Sequence, residues 1–166
     1  MKKTARYFTI AASALACVVI CAAVVLCAVF PNKYAAEINA AADEFGLDRA
    51  LVRSVVWAES KFDRRAVSDK GANGLMQLMP ETFEHCCDAL RIKGGDVYDP
   101  ATNARCGCYY LSVLADKFDG DMTAALVAYN AGEAHARKVL NGSPAYPETQ
   151  KYLRDIATAK KVYGFF

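Results

Sequence analysis

Sequence that alternates apolar and polar residues with β-branched side chains is scarce in this chain, which argues against a sheet. Internal repeats, low-complexity tracts and a second domain boundary are also missing after residue 31. An excess of basic charge is missing too. Of the 20 Lys+Arg, three fall in the first thirty residues, which leaves 17 against 18 Asp+Glu. With no basic arm or patch, nucleic acid is not an expected partner. Histidine is sparse: His85 and His135 stand far apart within helical patterns and read as ordinary surface residues, not ligands. Beyond the first thirty residues the cysteines are Cys86, Cys87, Cys106 and Cys108. Their Cys-Cys and Cys-x-Cys arrangements lack the usual spacing of zinc ligands. Zinc is therefore not the expected reading of these cysteines.

Charge is absent altogether from Tyr7 to Phe30, a run of 24 residues preceded by Lys2, Lys3 and Arg6. At about 1.5 Å per residue such a helix spans a hydrocarbon core of roughly 30 Å with a little tilt. It is too long for the apolar region of an ordinary cleaved signal peptide. Cys17, Cys21 and Cys27 lie within it, but none follows a lipoprotein pattern; Cys17 comes nearest, after Ala14-Leu15-Ala16. The reading is an uncleaved single-pass anchor over 7–30, with cleavage near residue 30 as the alternative. The basic residues place 1–6 as a cytoplasmic stub. Residues 31–166 then form one domain on the extracytoplasmic side of the cell membrane, as a monomer. Disulfides are permitted there. A bond between the 86/87 pair and the 106/108 pair would tie two neighbouring helices together, and residues 106 and 108 point to different sides of a helix. The short tether around Asn32 predicts action close to the membrane.

The remaining segment reads as all-α, built from many short helices. Tyr34 to Phe45 carries Ile38, Ala41, Ala42 and Phe45 on one side and is ended by Gly46. Asp48 is a suitable N-cap for the helix that follows. A polar loop over 63–73 leads to the short apolar run Gly74 to Met79, and Pro80 opens a helix reaching about Leu90. Further helices are predicted over 101–118, 122–129, 133–140 and 148–163.

One carboxylate is out of place. On the helix beginning at Arg49, Val52, Val55 and Val56 share a face, and Glu59 falls next on it. Burial disfavours the charged form of that side chain, and the negative end of the helix dipole works in the same direction. A carboxyl that keeps its proton near neutral pH is what a general acid requires. The ordinary alternative is a slight rotation of the helix that leaves Glu59 solvated.

Three further segments carry side chains that local structure does not demand. Gly74-Leu75-Met76-Gln77 sets an amide and a thioether after a glycine-containing loop. Ala128-Tyr129-Asn130-Ala131-Gly132 ends a helix with a phenol and an amide among small residues, and Glu148-Thr149-x-x-Tyr152 opens the last helix. Small residues permit close backbone approach, while Gln, Asn and Tyr supply directional hydrogen bonds and a stacking face, as sugar binding needs. Singly, each has a structural account: Leu75 and Met76 as core, Asn130-Ala131-Gly132 as a helix end, Tyr152 as packing.

Taken in order, the segments are far more specific. Trp57-Ala58-Glu59-Ser60-x-Phe62-Asp63, followed by Ala66-x-Ser68-x-x-Gly71-Ala72-x-Gly74-Leu75-Met76-Gln77-Leu78-Met79-Pro80-x-Thr82, resembles the soluble-lytic-transglycosylase family of peptidoglycan-cleaving enzymes. The two later motifs match that family's remaining ones in order and spacing, and Asp99-Pro100-x-x-Asn103 with Gly107-x-x-Tyr110-Leu111 looks like its middle segment. The four cysteines are the departure.

The resemblance implies a lysozyme-like helical fold with a groove for glycan strands. It implies cleavage of the β-1,4 bond between N-acetylmuramic acid and N-acetylglucosamine, leaving a 1,6-anhydromuramyl end. Glu59 would be the catalytic acid and then base, with no metal or organic cofactor needed. Ser60, Ser68, Met76, Gln77, Tyr129, Asn130 and Tyr152 would be substrate-binding residues, Met76 as an apolar floor and Tyr152 orienting Glu59 or meeting the sugar. The competing expectations are a hydrolytic muramidase on the same fold, helped by Asp63 or Asp69, and a non-catalytic peptidoglycan-binding module.

Overall fold

Apolar residues recur at helical spacing along almost the whole chain, and the computed structural model answers with eight α-helices among the described residues. Backbone is described for residues 2–165 and side chains for residues 15–165. The chain divides after Pro31 into two units.

The first unit is one helix, α1 (Lys2–Val29). Its described apolar side chains, among them Leu15, Val18, Ile20 and Val25, are exposed. Residues 7–14 of the expected anchor have no described side chains. Among the described residues, no helix is long and apolar enough to cross a membrane.

The second unit contains α2 (Ala35–Glu44), α3 (Arg49–Ser60), α4 (Pro80–Ala89), α5 (Pro100–Lys117), α6 (Met122–Ala131), α7 (Glu133–Leu140) and α8 (Pro147–Tyr163). Its helix starts follow local chemistry. Asp48, Asp99 and Asp121 each accept a hydrogen bond from a first-turn backbone N–H, satisfying groups that helix geometry leaves without partners. Pro80, Pro100 and Pro147 open α4, α5 and α8, where a missing N–H costs nothing. No strand forms among the described residues; Asn73 merely bridges to Val67 and to Leu78.

Packing is centred on α3. Leu51, Val52, Val55 and Val56 are buried on it, and each contributes about 1.5–3 kcal/mol relative to exposure. Its principal partner is α8, whose Thr149, Tyr152, Ile156, Ala159 and Tyr163 form a buried stripe at three- and four-residue steps. Phe62 and Tyr163 close the far end, ring centroids 5.9 Å apart. α6 packs on α8 and α5, and α5 also supports α2 and α4. Because α3 and α6 both lean on α8, their carboxyl ends are carried to the same region.

The helices fall within a residue or two of the expected positions. Asn130 lies inside the last turn of α6 and not beyond it. His135 departs from expectation: it is buried, not a surface residue. Its ring stacks on Tyr146 at 3.6 Å, and its Nε2 accepts a hydrogen bond from the Tyr146 N–H. The loop before α8 folds back over it, a tertiary contact that the helical pattern of α7 does not reveal. His85 is exposed as expected.

Candidate active site

Glu59 stands one residue before the end of α3, where the amphipathic stripe runs out into a cleft. The helix stops because Lys61 and Phe62 both adopt left-handed conformations, φ +52° and +63°. Ser60 is turned inward: its hydroxyl donates to the Leu75 carbonyl at 2.7 Å and contacts the Val56 carbonyl at 3.2 Å. That bond ties the end of α3 to the 74–79 segment and so fixes the position of its neighbour Glu59.

The 74–79 segment is held from below. Asn103, wholly buried on α5, accepts from the Met76 N–H at 2.8 Å and donates to the Val97 carbonyl at 2.8 Å and the Asn73 carbonyl at 3.3 Å. Gly74 has φ +79°, and a Cβ there would collide with the Asn103 amide and the Val97 carbonyl. Met76 is fully buried against Gly107, where a Cβ would likewise collide. Tyr129 reaches over from α6 and donates its hydroxyl to the Met76 carbonyl at 2.7 Å.

These restraints shape a cleft of about 270 Å³ lined by Glu59, Ser68, Gln77, Tyr129 and Asn130, together with Lys70. Five of the eight residues expected at the site thus meet on one surface. Ser60, Met76 and Tyr152 stand behind it. Gln77, in a left-handed conformation at φ +48°, donates its Nε2 to the Ala66 and Gly74 carbonyls. Ser68 accepts from the Ala72 N–H, which closes the loop beneath the cleft. Asn130 is pinned through its Oδ1, which accepts from the buried Thr149 hydroxyl at 2.9 Å.

The electrostatics follow from enclosure. The Glu59 carboxyl is pushed up to about 7, chiefly by burial; Tyr152 and the Lys61 ammonium pull in the opposite direction. Tyr152 itself is buried, and its hydroxyl has no hydrogen-bond partner of proper geometry. The hydroxyl nevertheless reaches Glu59 as a strained hydrogen-bond donor, and that contact offsets part of the effect of burial on the carboxyl. Burial, followed by the charge of Glu59, raises Tyr152 well above the usual phenol range. Lys61 rests over the Trp57 ring, Nζ 3.2 Å from its centroid, and partial burial lowers its pKa.

Among the residues lining the cleft Glu59 is the one carboxylate. Asp63 and Asp69 are exposed, and the Asp63 carboxylate accepts from the Arg65 N–H as part of a turn. Among the described residues, no cluster of three or more His, Cys, Asp or Glu is arranged to hold a metal ion.

Sequence reasoning missed Lys70, Lys61, Asn103 and Thr149 as contributors. Asn103 and Thr149 belong to the Asp99-Pro100-x-x-Asn103 and Glu148-Thr149-x-x-Tyr152 motifs, but only tertiary hydrogen bonds give each its role. Lys61 and Lys70 occupy turns, where no periodicity says which way a side chain goes.

Comparison with known proteins agrees with this geometry. A family profile described as "Transglycosylase SLT domain" matches residues 36–151. The membrane-bound lytic murein transglycosylase C of Haemophilus influenzae is 33% identical over 122 residues, covering 66% of this chain and 34% of that protein. The chain therefore spans about a third of the length of that relative. Among solved structures, an inactive mutant of the lytic transglycosylase Slt from Pseudomonas aeruginosa superposes with a TM-score of 0.76 at 29% identity, over 81% of this chain and 24% of that one. A complex of the 70-kDa soluble lytic transglycosylase with bulgecin A gives 0.75 at 25% identity, over 82% and 25%. With its profile match covering most of the globular unit, the chain belongs to the Transglycosylase SLT domain family.

Proposed function

We propose that this protein is a peptidoglycan lytic transglycosylase that cleaves the N-acetylmuramic acid–β-1,4–N-acetylglucosamine bond through Glu59 alone. The observation carrying this reading is a single protonatable carboxyl, raised to about 7, in a cleft that no second carboxylate lines. Hydrolytic glycosidases ordinarily divide the work between two carboxyl groups. One suffices when the nucleophile belongs to the substrate.

In the first step the Glu59 carboxyl gives its proton to the departing glycosidic oxygen, and the C1–O bond breaks with charge developing on the muramyl ring. In the second, the Glu59 carboxylate takes the proton of the muramyl 6-hydroxyl as that oxygen bonds to C1. The residue ends protonated, as it began, and no water is consumed. The attacking hydroxyl is already held in the same sugar, which removes most of the entropic cost of bringing a nucleophile in. A pKa near 7 suits a group that must first donate and then accept.

Around it, Ser68, Gln77, Tyr129 and Asn130 bind the glycan, with the Gln77 carbonyl and the Asn130 amide as polar contacts and the Tyr129 ring as a flat face. Met76 backs the floor. Ser60 and Tyr152 position Glu59 from behind. Bulgecin A, bound by the related 70-kDa enzyme, is proposed as a ligand of this cleft.

Residues 7–30 are proposed as a single-pass membrane anchor, with 1–6 in the cytoplasm and 31–166 on the extracytoplasmic side. The uncharged run after three basic residues, the exposed apolar side chains of α1 and a relative named as membrane-bound support this. Extraction with alkaline carbonate tests it: an anchored chain stays in the membrane pellet.

The catalytic reading is tested with purified peptidoglycan and the Glu59→Gln variant, which keeps the shape of the side chain. Wild type should release 1,6-anhydromuramyl products, and the variant should bind the polymer and release none. Cleavage by the variant contradicts the mechanism. Binding without cleavage by wild type favours an adhesive module.

A further inference from the structure

The proposed reaction uses none of the thiols behind the cleft. Cys86, Cys87, Cys106 and Cys108 are all buried and all free. Two of them meet across a helix interface: Cys87 Sγ on α4 lies 3.8 Å from Cys106 Sγ on α5. Both belong to an apolar cluster with Leu78, Phe83 and Cys86. They differ in access. Cys87 lines a surface pocket of about 220 Å³ together with Phe83, Ile92 and Gly95, whereas Cys106 is fully sealed. Gly95 keeps room beside the Cys87 sulfur, since a Cβ there would come within 3.0 Å of it.

We propose that Cys87 and Cys106 form a disulfide site, with Cys87 as the entry thiol and Cys106 as the resolving thiol. The oxidant is the disulfide of a small thiol or of a dithiol protein. Cys87, as thiolate, attacks one sulfur of that disulfide, and the other sulfur leaves as a thiolate. Cys106 then loses its proton and attacks Cys87 Sγ, expelling the second thiolate. Two protein thiols are oxidised, one disulfide is reduced to two thiols, and the two protons pass to the leaving groups. The sulfurs must close from 3.8 Å to about 2.05 Å, a movement directed along a contact already made.

The remaining thiols are poorer partners. Burial raises Cys86, Cys106 and Cys108 alike, so placement decides between them: Cys86 adjoins Cys87 on α4, and Cys108, two residues beyond Cys106, points to another side of α5. Burial, followed by the facing Cys87, raises Cys106, and the cost of deprotonating it falls on the resolving step.

The bond would staple α4 to α5 beneath the 74–79 segment, without touching the cleft. Gly107, next to Cys106, packs on Met76, and Leu78 shares the cysteine cluster. The cross-link therefore stiffens the wall that carries Gln77. It is judged by a mass map and a melting temperature, so its failure and a failure of the catalytic reading are distinguishable.

The full-length chain in detergent is treated with oxidised glutathione, its residual thiols are alkylated, and its peptides are mapped by mass spectrometry. The expected product is a peptide pair joined through Cys87 and Cys106, with Tm raised by roughly 10 °C over the reduced protein. C106S should stop at a glutathione adduct on Cys87, while C86S and C108S keep the cross-link. A cross-link through Cys86 or Cys108 overturns the assignment, as does a wild-type Cys87 adduct that never resolves or a set of thiols that stay unreacted. The wild-type map is decisive whether or not the serine variants fold.

Discussion

Tyr152 brings a buried hydroxyl against Glu59 short of proper hydrogen-bond geometry, and the two side chains shift each other's acidity in opposite directions. Tyr152 lowers Glu59, while Glu59 raises Tyr152. The arrangement leaves a donor free to tighten onto the carboxyl once it becomes a carboxylate, which is the charge state needed in the second half of the reaction.

Removing that hydroxyl has a defined sign. In Tyr152→Phe the opposition to burial is lost, so Glu59 should titrate above about 7. The pH profile of kcat/KM should move to higher pH, and kcat should fall by roughly tenfold, about 1.4 kcal/mol. Stability should change by no more than about 1 kcal/mol, because the hydrogen bond lost is a strained one and a buried hydroxyl is removed with it. A profile displaced toward acid would contradict the relationship.

Glu59 also links stability to pH. Its folded pKa, about 7, lies above its ordinary value of 4.5. The raised group therefore favours folding fully below about 4.5, and that advantage is lost as pH rises through about 7. Glu59→Gln should match wild type near pH 4 and be the more stable protein above pH 8, by up to about 3 kcal/mol before allowance for solvent screening. Urea denaturation at both pH values measures the difference; curves that stay parallel across the range would contradict it.

Asn103 holds three backbone groups with one side chain. Asn103→Ala leaves them without partners in a buried setting and should cost on the order of 3–5 kcal/mol. Gln77 and the rest of the cleft wall should lose definition, so cleavage should fall with stability. Chemical denaturation read alongside activity checks this; a neutral substitution would show that the 74–79 segment is held by other means.

Ser60 was expected on the substrate, yet its hydroxyl is committed to the Leu75 carbonyl at 2.7 Å. Ser60→Ala should therefore cost about 1–2 kcal/mol of stability and lower kcat through displacement of Glu59, with KM for glycan little changed. A rise in KM at constant kcat would instead return Ser60 to direct binding.

The helical frame was legible because burial imposes periodicity. Val52, Val55 and Val56 announce a face, and Ile38, Ala41 and Ala42 announce another. Glu59 was legible for the same reason, as a carboxylate interrupting such a face. The division of labour among its neighbours was not. Ser60 and Ser68 have identical hydroxyls, and only tertiary structure sends one to the Leu75 carbonyl and the other to the Ala72 N–H. His135 carries a helical pattern compatible with solvent, and its burial comes from Tyr146, eleven residues away across a loop. Of the four cysteines, spacing separated two pairs but not the partners; the packing of α4 on α5 selects Cys87 and Cys106.

The most direct test of a single carboxyl acting twice is to digest peptidoglycan in heavy-oxygen water and weigh the muramyl ends. A mechanism in which Glu59 recycles its proton through the sugar's own 6-hydroxyl predicts anhydro ends free of the heavy isotope. Reducing ends carrying solvent oxygen would mean that water is the nucleophile and would contradict it.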